Sequence, residues 1–322
     1  TLMIAILGRV LMGIGASFAV VGCLKIASIW FPPRRFALVA GLTVAIGMLG
    51  AAGGQAPMAV LVNQLGWRET LLYGSLLGLA LAAVLWRAMK PAPGVSEVTV
   101  DDHPHIPLAQ ALKTISFDKQ TWLASLYAGL MFVPTVGFAG LWGVPYLMQA
   151  YALTRPEAAL YISLIYVGWA IGGPIFGWYS DSIARRRRPM VVATFGTLFA
   201  MQAIWMLPDS LMVMGFLLLL LGIFSSGFVL AFSVVRESHS ERLTGAAMGF
   251  VNTLNSLSGA ISQPILGLIL DYYWIQGTYV DGARSYSLDA YHSALFSIPV
   301  CLVISLLILP FIHETYCKAR AD

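Results

Sequence analysis

Charge is what this sequence has least of. Lys, Arg, Asp and Glu make up 11% of its 322 residues, where a soluble domain carries about 25%. A chain this poor in solvated groups cannot cover a soluble surface, and its mean hydropathy of +0.79 places it in a bilayer. Cysteine is almost missing: Cys23, Cys301 and Cys317 show no paired spacing, which excludes a disulfide frame and a thiolate metal site. The five histidines are scattered, and the pair in the stretch DDHPH, Asp101 to His105, is split by proline in a polar loop, a poor metal clamp. There is no phosphate-cradling loop and no nucleophile with a base at readable spacing. An ATP-driven pump and an embedded hydrolase are therefore set aside, the chain is read as no enzyme, and no cofactor or metal is called for.

Acids are missing from the apolar runs altogether. All fifteen carboxylates fall in loops or near span ends, whereas a proton-coupled carrier usually needs an intramembrane group that titrates. Glu237 and Asp271, close to span ends, are the fallback positions for such a group.

What is there instead is apolar sequence in lengths that cross a membrane. Nine runs of about 20 residues are expected as helices near 3–29, 36–62, 70–89, 121–147, 158–179, 190–207, 211–234, 246–270 and 291–312. Alternate loops hold fourteen Lys and Arg on one side and three on the other, with Arg9 and Lys25 inside the first run. Basic loops stay cytoplasmic, so residues 30–35, 87–120, 182–189 and the C-terminus are expected there, in a bacterial inner (plasma) membrane. The basic excess reflects topology and implies no nucleic-acid partner.

Arg34, Gly41 and Gln55 recur 208 positions later as Arg242, Gly249 and Gln263. Repeats inside hydrophobic spans mark transporters built from duplicated halves. The offset equates the second and eighth spans, so twelve helices are expected in the intact protein, with three preceding Thr1. Residues 1–90 then complete the first half, 91–120 form a cytoplasmic linker with a surface helix in IPLAQALKTISF, and 121–322 form the second half.

The segment GWYSDSIARRRR, Gly177 to Arg188, resembles the loop signature of the major facilitator superfamily. Gly177, Asp181, Arg185 and Arg186 match it, while Ser182 and Ala184 replace the usual basic residue and glycine. Arg9, Gly13, Gly15 and Ala16 resemble that family's fourth-helix pattern, with Met12 where glutamine is common. Gly47, Gly50, Gly53 and Gly54 lack the proline of the drug-antiporter form. Segments such as GRVLMGIGAS and GFVNTLNSLSGAISQPILG are similar to bacterial metabolite-uptake carriers and to the lysosomal dipeptide-carrying branch. The resemblance implies an all-α membrane fold, helices 4 to 12 of a twelve-helix carrier, working by alternating access.

The motif's physics fits that role: a glycine allows close helix contact and the Asp at a helix end pairs with arginines or a neighbouring helix terminus, so Gly177, Asp181, Arg185 and Arg186 are expected as a cytoplasmic gate, against the reading of a plain positive-inside anchor. Arg9, costly in hydrocarbon, either binds an anionic substrate group, pairs with an acid in an absent helix, or snorkels; Lys25 is expected to snorkel. Gln55, Tyr127, Trp142, Tyr166, Asn252, Asn255 and Gln263 are the polar candidates for a substrate path, against a reading of plain helix-to-helix hydrogen bonds. Glycines such as Gly168, Gly172, Gly173 and Gly177 are expected where helices approach closely.

The expected function is a monomeric carrier for a small anionic or zwitterionic metabolite, such as an organic acid, amino acid or short peptide. Symport with protons and facilitated diffusion both stay open. The alternatives are a transporter-like sensor or scaffold without flux, and a drug/proton antiporter.

Overall fold

The computed structural model describes residues 2–88, 107–274, 279–280 and 283–318. The chain opens with α1 (Leu2–Trp30), α2 (Pro33–Leu65) and α3 (Trp67–Ala88). The first part of the expected linker, with the DDHPH stretch, lies outside the described residues; its second part is α4 (Leu108–Phe117), which buries Ala111 and Ile115. Next, α5 (Lys119–Val133) runs through a π-helical stretch, Pro134–Trp142, into α6 (Gly143–Tyr151). After α7 (Arg155–Ser182) and α8 (Arg187–Trp205), α9 (Leu211–Ser225) continues through a 3₁₀ turn into α10 (Leu230–Ser238). Then come α11 (Glu241–Tyr272), an antiparallel pair β1 (Tyr279–Val280) and β2 (Ala283–Arg284), α12 (Leu288–Leu295) and α13 (Ser297–Ile308).

Among the described residues, eight helical units are long and apolar enough to cross a bilayer. The remaining expected span, 190–207, coincides with α8, a 19-residue helix of lower apolar content. Local chemistry sets the starts: prolines 32 and 33 open α2 with φ already helical, and Asp118 caps α5 by accepting from the Thr121 amide at 2.7 Å. Thr154 and Glu157 form a capping box on α7, satisfying amides that the first turn leaves free. The π stretch was not expected from sequence. Pro134 has no N–H for the carbonyl one turn back, and Gly137 and Gly140 relieve crowding, so the wider winding is tolerated.

α7 is the centre of the packing, with α2 on one side and α9 on another. Its small residues form two stripes at four-residue spacing. Gly168 and Gly172 lie against the α9 backbone around Leu219–Ile223, and Gly173 and Gly177 lie against the α2 backbone at Gly41 and Ala37. A Cβ at Gly177 would run into the Ala37 carbonyl, so these two helices touch main chain to main chain.

Hydrogen bonds place the element ends. The starts of α2, α5, α8 and α11 and the ends of α1, α7, α10 and α13 meet at one end, the basic one. Tyr151, Pro208, Trp205, His292 and the Asp271–Arg284 ion pair mark the other. Lys25 reaches toward the basic end, where its Nζ donates to the Glu241 carbonyl at 3.2 Å in the first turn of α11.

Gly177→Val should force α2 and α7 apart and lower stability by about 1–3 kcal/mol, the usual cost of overpacking. Gly245→Ala, where the nearest group is the flexible Lys25 side chain, should stay within about 0.5 kcal/mol. Thermal unfolding of both variants in detergent checks this.

Candidate functional site

A cavity of about 600 Å³ lies where α1, α2, α5, α10 and α11 converge. Gly13, Ala16, Ser17 and Val20 of α1 and Thr43, Gly47 and Ala51 of α2 make one wall; Phe132, Phe228 and Phe232 face them, and Asn252, Asn255 and Ser256 of α11 complete the lining. The small residues leave the room and the rings supply apolar surface. Phe132 and Phe228 stack at 5.4 Å, with Trp169 edge-on to Phe228 at 4.8 Å. The Trp169 indole N–H is held by Thr135 at 2.9 Å.

Most hydroxyls of the lining are already satisfied. Ser17, Thr43 and Ser256 donate to carbonyls of their own helices. Asn255 is different: it is 6% exposed and its Oδ1 has no hydrogen-bond partner among the described residues. An unmet buried amide oxygen costs about 1–3 kcal/mol, a cost that a ligand donor would remove. Arg9 sits on the α1 stripe that runs through Gly13, Ala16 and Val20, about 6 Å along the axis from Gly13 and on the side away from the basic end. It has no hydrogen bond or ion pair among the described residues.

Toward the basic end the same helices close. Leu24, Phe36, Ala37 and Ala40 are fully buried, and beyond them stands a charged network. The Arg186 guanidinium, 0% exposed, bonds Glu237 through NH2 at 2.5 Å and Asp181 through NH1 at 2.7 Å, with the Ser180 hydroxyl at 2.8 Å. The second Asp181 oxygen accepts from the Leu38 amide in the first turns of α2 at 3.1 Å, a site where the helix dipole favours an anion. Glu237 also accepts from the Thr315 hydroxyl, and Glu314 accepts from the Arg186 and Arg187 amides at 2.6 and 3.1 Å. Arg236 reaches back to the last turn of α1, donating to Ser28 and Phe31 carbonyls at 2.9 and 3.1 Å while stacking over Phe36. Burial disfavours the charge on Arg186, but the Glu237 carboxylate outweighs it and holds the guanidinium above its ordinary pKa. Beside this network Asp118 takes the Thr121 hydroxyl at 2.7 Å and faces His239 at 3.4 Å. Burial opposes ionisation of Asp118, yet its bonds to Thr121 prevail and hold its carboxyl below the usual range.

The structure gathers some of the residues singled out in the sequence and separates others. Gly177, Asp181 and Arg186 meet at the closed end, but the side chain of Arg185 turns away to lie 5.8 Å from the Tyr316 ring. The turn between them passes through Ala184 at φ 49°, a left-handed geometry that suits the glycine it replaces. Asn252 and Asn255 line the cavity. Tyr127 does not: it is buried between α5 and α8, bonded to the Met190 carbonyl at 3.3 Å. Trp142 and Gln263 bond each other's helices, indole to the Gln263 carbonyl at 3.2 Å and amide to the Val136 carbonyl at 2.9 Å, tying the π stretch to α11. Tyr166 is buried on α7, and the Gln55 side chain lies outside the described residues. Glu237 is consumed by Arg186, and Asp271 by Arg284 and Tyr286. The phenylalanine wall and Arg236 had no sequence signal beyond hydrophobicity and charge.

Arg186→Met should cost about 3–5 kcal/mol by stranding two buried carboxylates, and Arg186→Met with Glu237→Met should recover part of it. Thiol labelling of Ala40→Cys should be blocked in the parent and fast in the single variant. Ala184→Gly should raise stability by about 1 kcal/mol, read as a higher Tm.

A sequence model of the Major Facilitator Superfamily matches residues 1–280. The membrane sensor protein UhpC of Salmonella typhimurium is 25% identical over 243 residues, 67% of this chain and 53% of its own. A probable hexose phosphate transport protein of Chlamydia pneumoniae is 23% identical over 250 residues, 68% of this chain and 54% of its own. The chain therefore spans about half the length of these curated relatives. A bacterial homologue of the human lysosomal transporter Spinster, solved inward-facing and unoccupied, aligns with a TM-score of 0.55 over 90% of this chain and 73% of its own, at 17% identity, a likeness of fold alone. With the family match running through most of its length, this multi-pass membrane chain belongs to the Major Facilitator Superfamily.

Proposed function

We propose that the protein carries a small anionic metabolite across the membrane by alternating access, with the cavity beneath Arg9 as its binding site. The observation that carries this reading is a cavity lined from both sides of the α2–α7 contact and sealed at one end by a buried, hydrogen-bonded charge network. The basic end is taken as cytoplasmic by the distribution of Lys and Arg. Residues 1–90 belong to one half and 121–322 to the other, and the Arg186 network is the latch that must part for the cytoplasmic side to open. A scaffold has no need of an unmet amide beside a cavity.

The substrate class follows from chemistry. Arg9 supplies a charge that is not neutralised among the described residues, Asn252 and Asn255 supply amides, and the Phe132, Phe228 and Phe232 rings supply an apolar wall. A compact anion with one apolar face fits this set, and similarity to a probable hexose phosphate transport protein supports a sugar phosphate or a comparable organic anion. The coordinating fork of Arg9 suits phosphate and carboxylate alike. A sensor without flux is the second reading, because UhpC, a membrane sensor, is among the relatives.

Uptake of labelled hexose phosphate and of organic acids into proteoliposomes, with and without an imposed pH gradient, tests both. Flux is expected, and its response to the gradient reports proton coupling; binding without any flux would favour the sensor. Arg9→Gln and Asn255→Ala should each raise KM about tenfold or more, the loss of one charge-assisted or buried hydrogen bond, at unchanged expression. Unaltered kinetics in both would remove this cavity as the site.

A further inference from the structure

The side chains of three arginines at the basic end take no part in the latch. Arg185, Arg187 and Arg188 line a separate cavity of about 490 Å³ together with Tyr179, Glu314 and Tyr316. None of the three has a carboxylate within ion-pair distance among the described residues. The Glu314 carboxylate is already occupied by the amides of Arg186 and Arg187, so it offers little to the guanidiniums beside it. The pocket thus concentrates positive charge, with two phenol groups next to it.

Its floor has the opposite character. Val191 and Val192, in the first turns of α8, close the pocket from below, and Val192 is 45% exposed. On the neighbouring turn of α7, Trp178 is also exposed. Farther along, Ile171 and Ile175 of α7 and Phe195 and Phe199 of α8 are also exposed, while the cationic rim lies where α7 ends at Ser182 and α8 begins at Arg187. A charged rim at headgroup depth above an apolar wall is the shape of a lipid site. Arginine forks match phosphate oxygens bidentately, and basic pockets between helices on the cytoplasmic side take anionic headgroups.

We propose that this pocket binds the phosphate of an anionic phospholipid, with Arg185, Arg187 and Arg188 on the phosphate oxygens and the acyl chains along Val191 and Val192. The site is independent of the transport cavity and does not rest on what that cavity carries. The two do share a segment: Glu314 and Tyr316 line the pocket, and Thr315 between them holds Glu237 of the latch. A lipid seated here therefore stabilises the latched form, as any ligand of one state does.

The intact protein, purified in neutral detergent, is titrated with short-chain phosphatidylglycerol, short-chain phosphatidylcholine and inorganic phosphate, following retained lipid by native mass spectrometry and Tm by fluorescence. Phosphatidylglycerol should be retained and raise Tm, phosphatidylcholine should do neither, and phosphate alone should be weak. The combined variant Arg185→Gln, Arg187→Gln and Arg188→Gln should bind phosphatidylglycerol about a hundredfold more weakly, roughly fivefold per arginine. Arg68→Gln at the other end should bind as the parent does. A Tm response to inorganic phosphate that the triple variant loses, with phosphatidylglycerol inert, would keep the anion site and replace the lipid with a soluble phosphate. Equal retention of both lipids with no phosphate response overturns the proposal, and so does a folded triple variant that binds phosphatidylglycerol normally. The lipid preference of the parent protein decides the matter even where the triple variant does not fold.

Discussion

Arg186 has no access to solvent, and Glu237 is only 1% exposed beside it. Taking a guanidinium and a carboxylate out of water costs several kcal/mol per ion unless each finds its partners. Here the partners come from four elements: Ser180 and Asp181 at the end of α7, Glu237 on α10, Thr315 beyond α13 and, through Asp181, the Leu38 amide of α2. The network is complete only when α2 is docked. Closure of the interface and satisfaction of the buried charges are therefore one event, and the network can act as a latch where a surface ion pair could not.

The glycine stripes of α7 make that event mechanical. Because Gly173 and Gly177 admit the α2 backbone, the two helices touch main chain to main chain beside the latch. The cavity lies beyond this contact along α2, from Thr43 to Ala51. The opposite stripe, Gly168 and Gly172, fastens α7 to α9. Arg236, bonded to the last carbonyls of α1, adds a second tie between the same two parts of the chain.

Much of the architecture was legible in the sequence because the bilayer leaves few options: backbone groups must be satisfied within each span, so length and hydrophobicity specify helices. The helix at Leu108–Phe117 and the close-approach glycines of α7 were readable as well. Particular site residues were less so. Tyr127 and Tyr166 look like pathway groups in one dimension, since nothing in a sequence says which face of a helix meets a neighbour. Trp142 and Gln263 proved to bond each other's helices across a π stretch whose cause, one proline followed by two glycines, is common to many ordinary helices.

The same division separates Arg185 from Arg186. Four consecutive arginines and an aspartate on one turn announce a charged cluster, and the sequence by itself determined membrane class and family. Only the tertiary structure decided which guanidinium enters the core, because the left-handed turn at Ala184 and the arrival of Glu237 and Glu314 from distant elements direct one arginine inward and leave three on a separate rim. Periodicity and composition are local properties of a chain, whereas the pairing of buried charges depends on groups more than fifty residues apart meeting within hydrogen-bond distance.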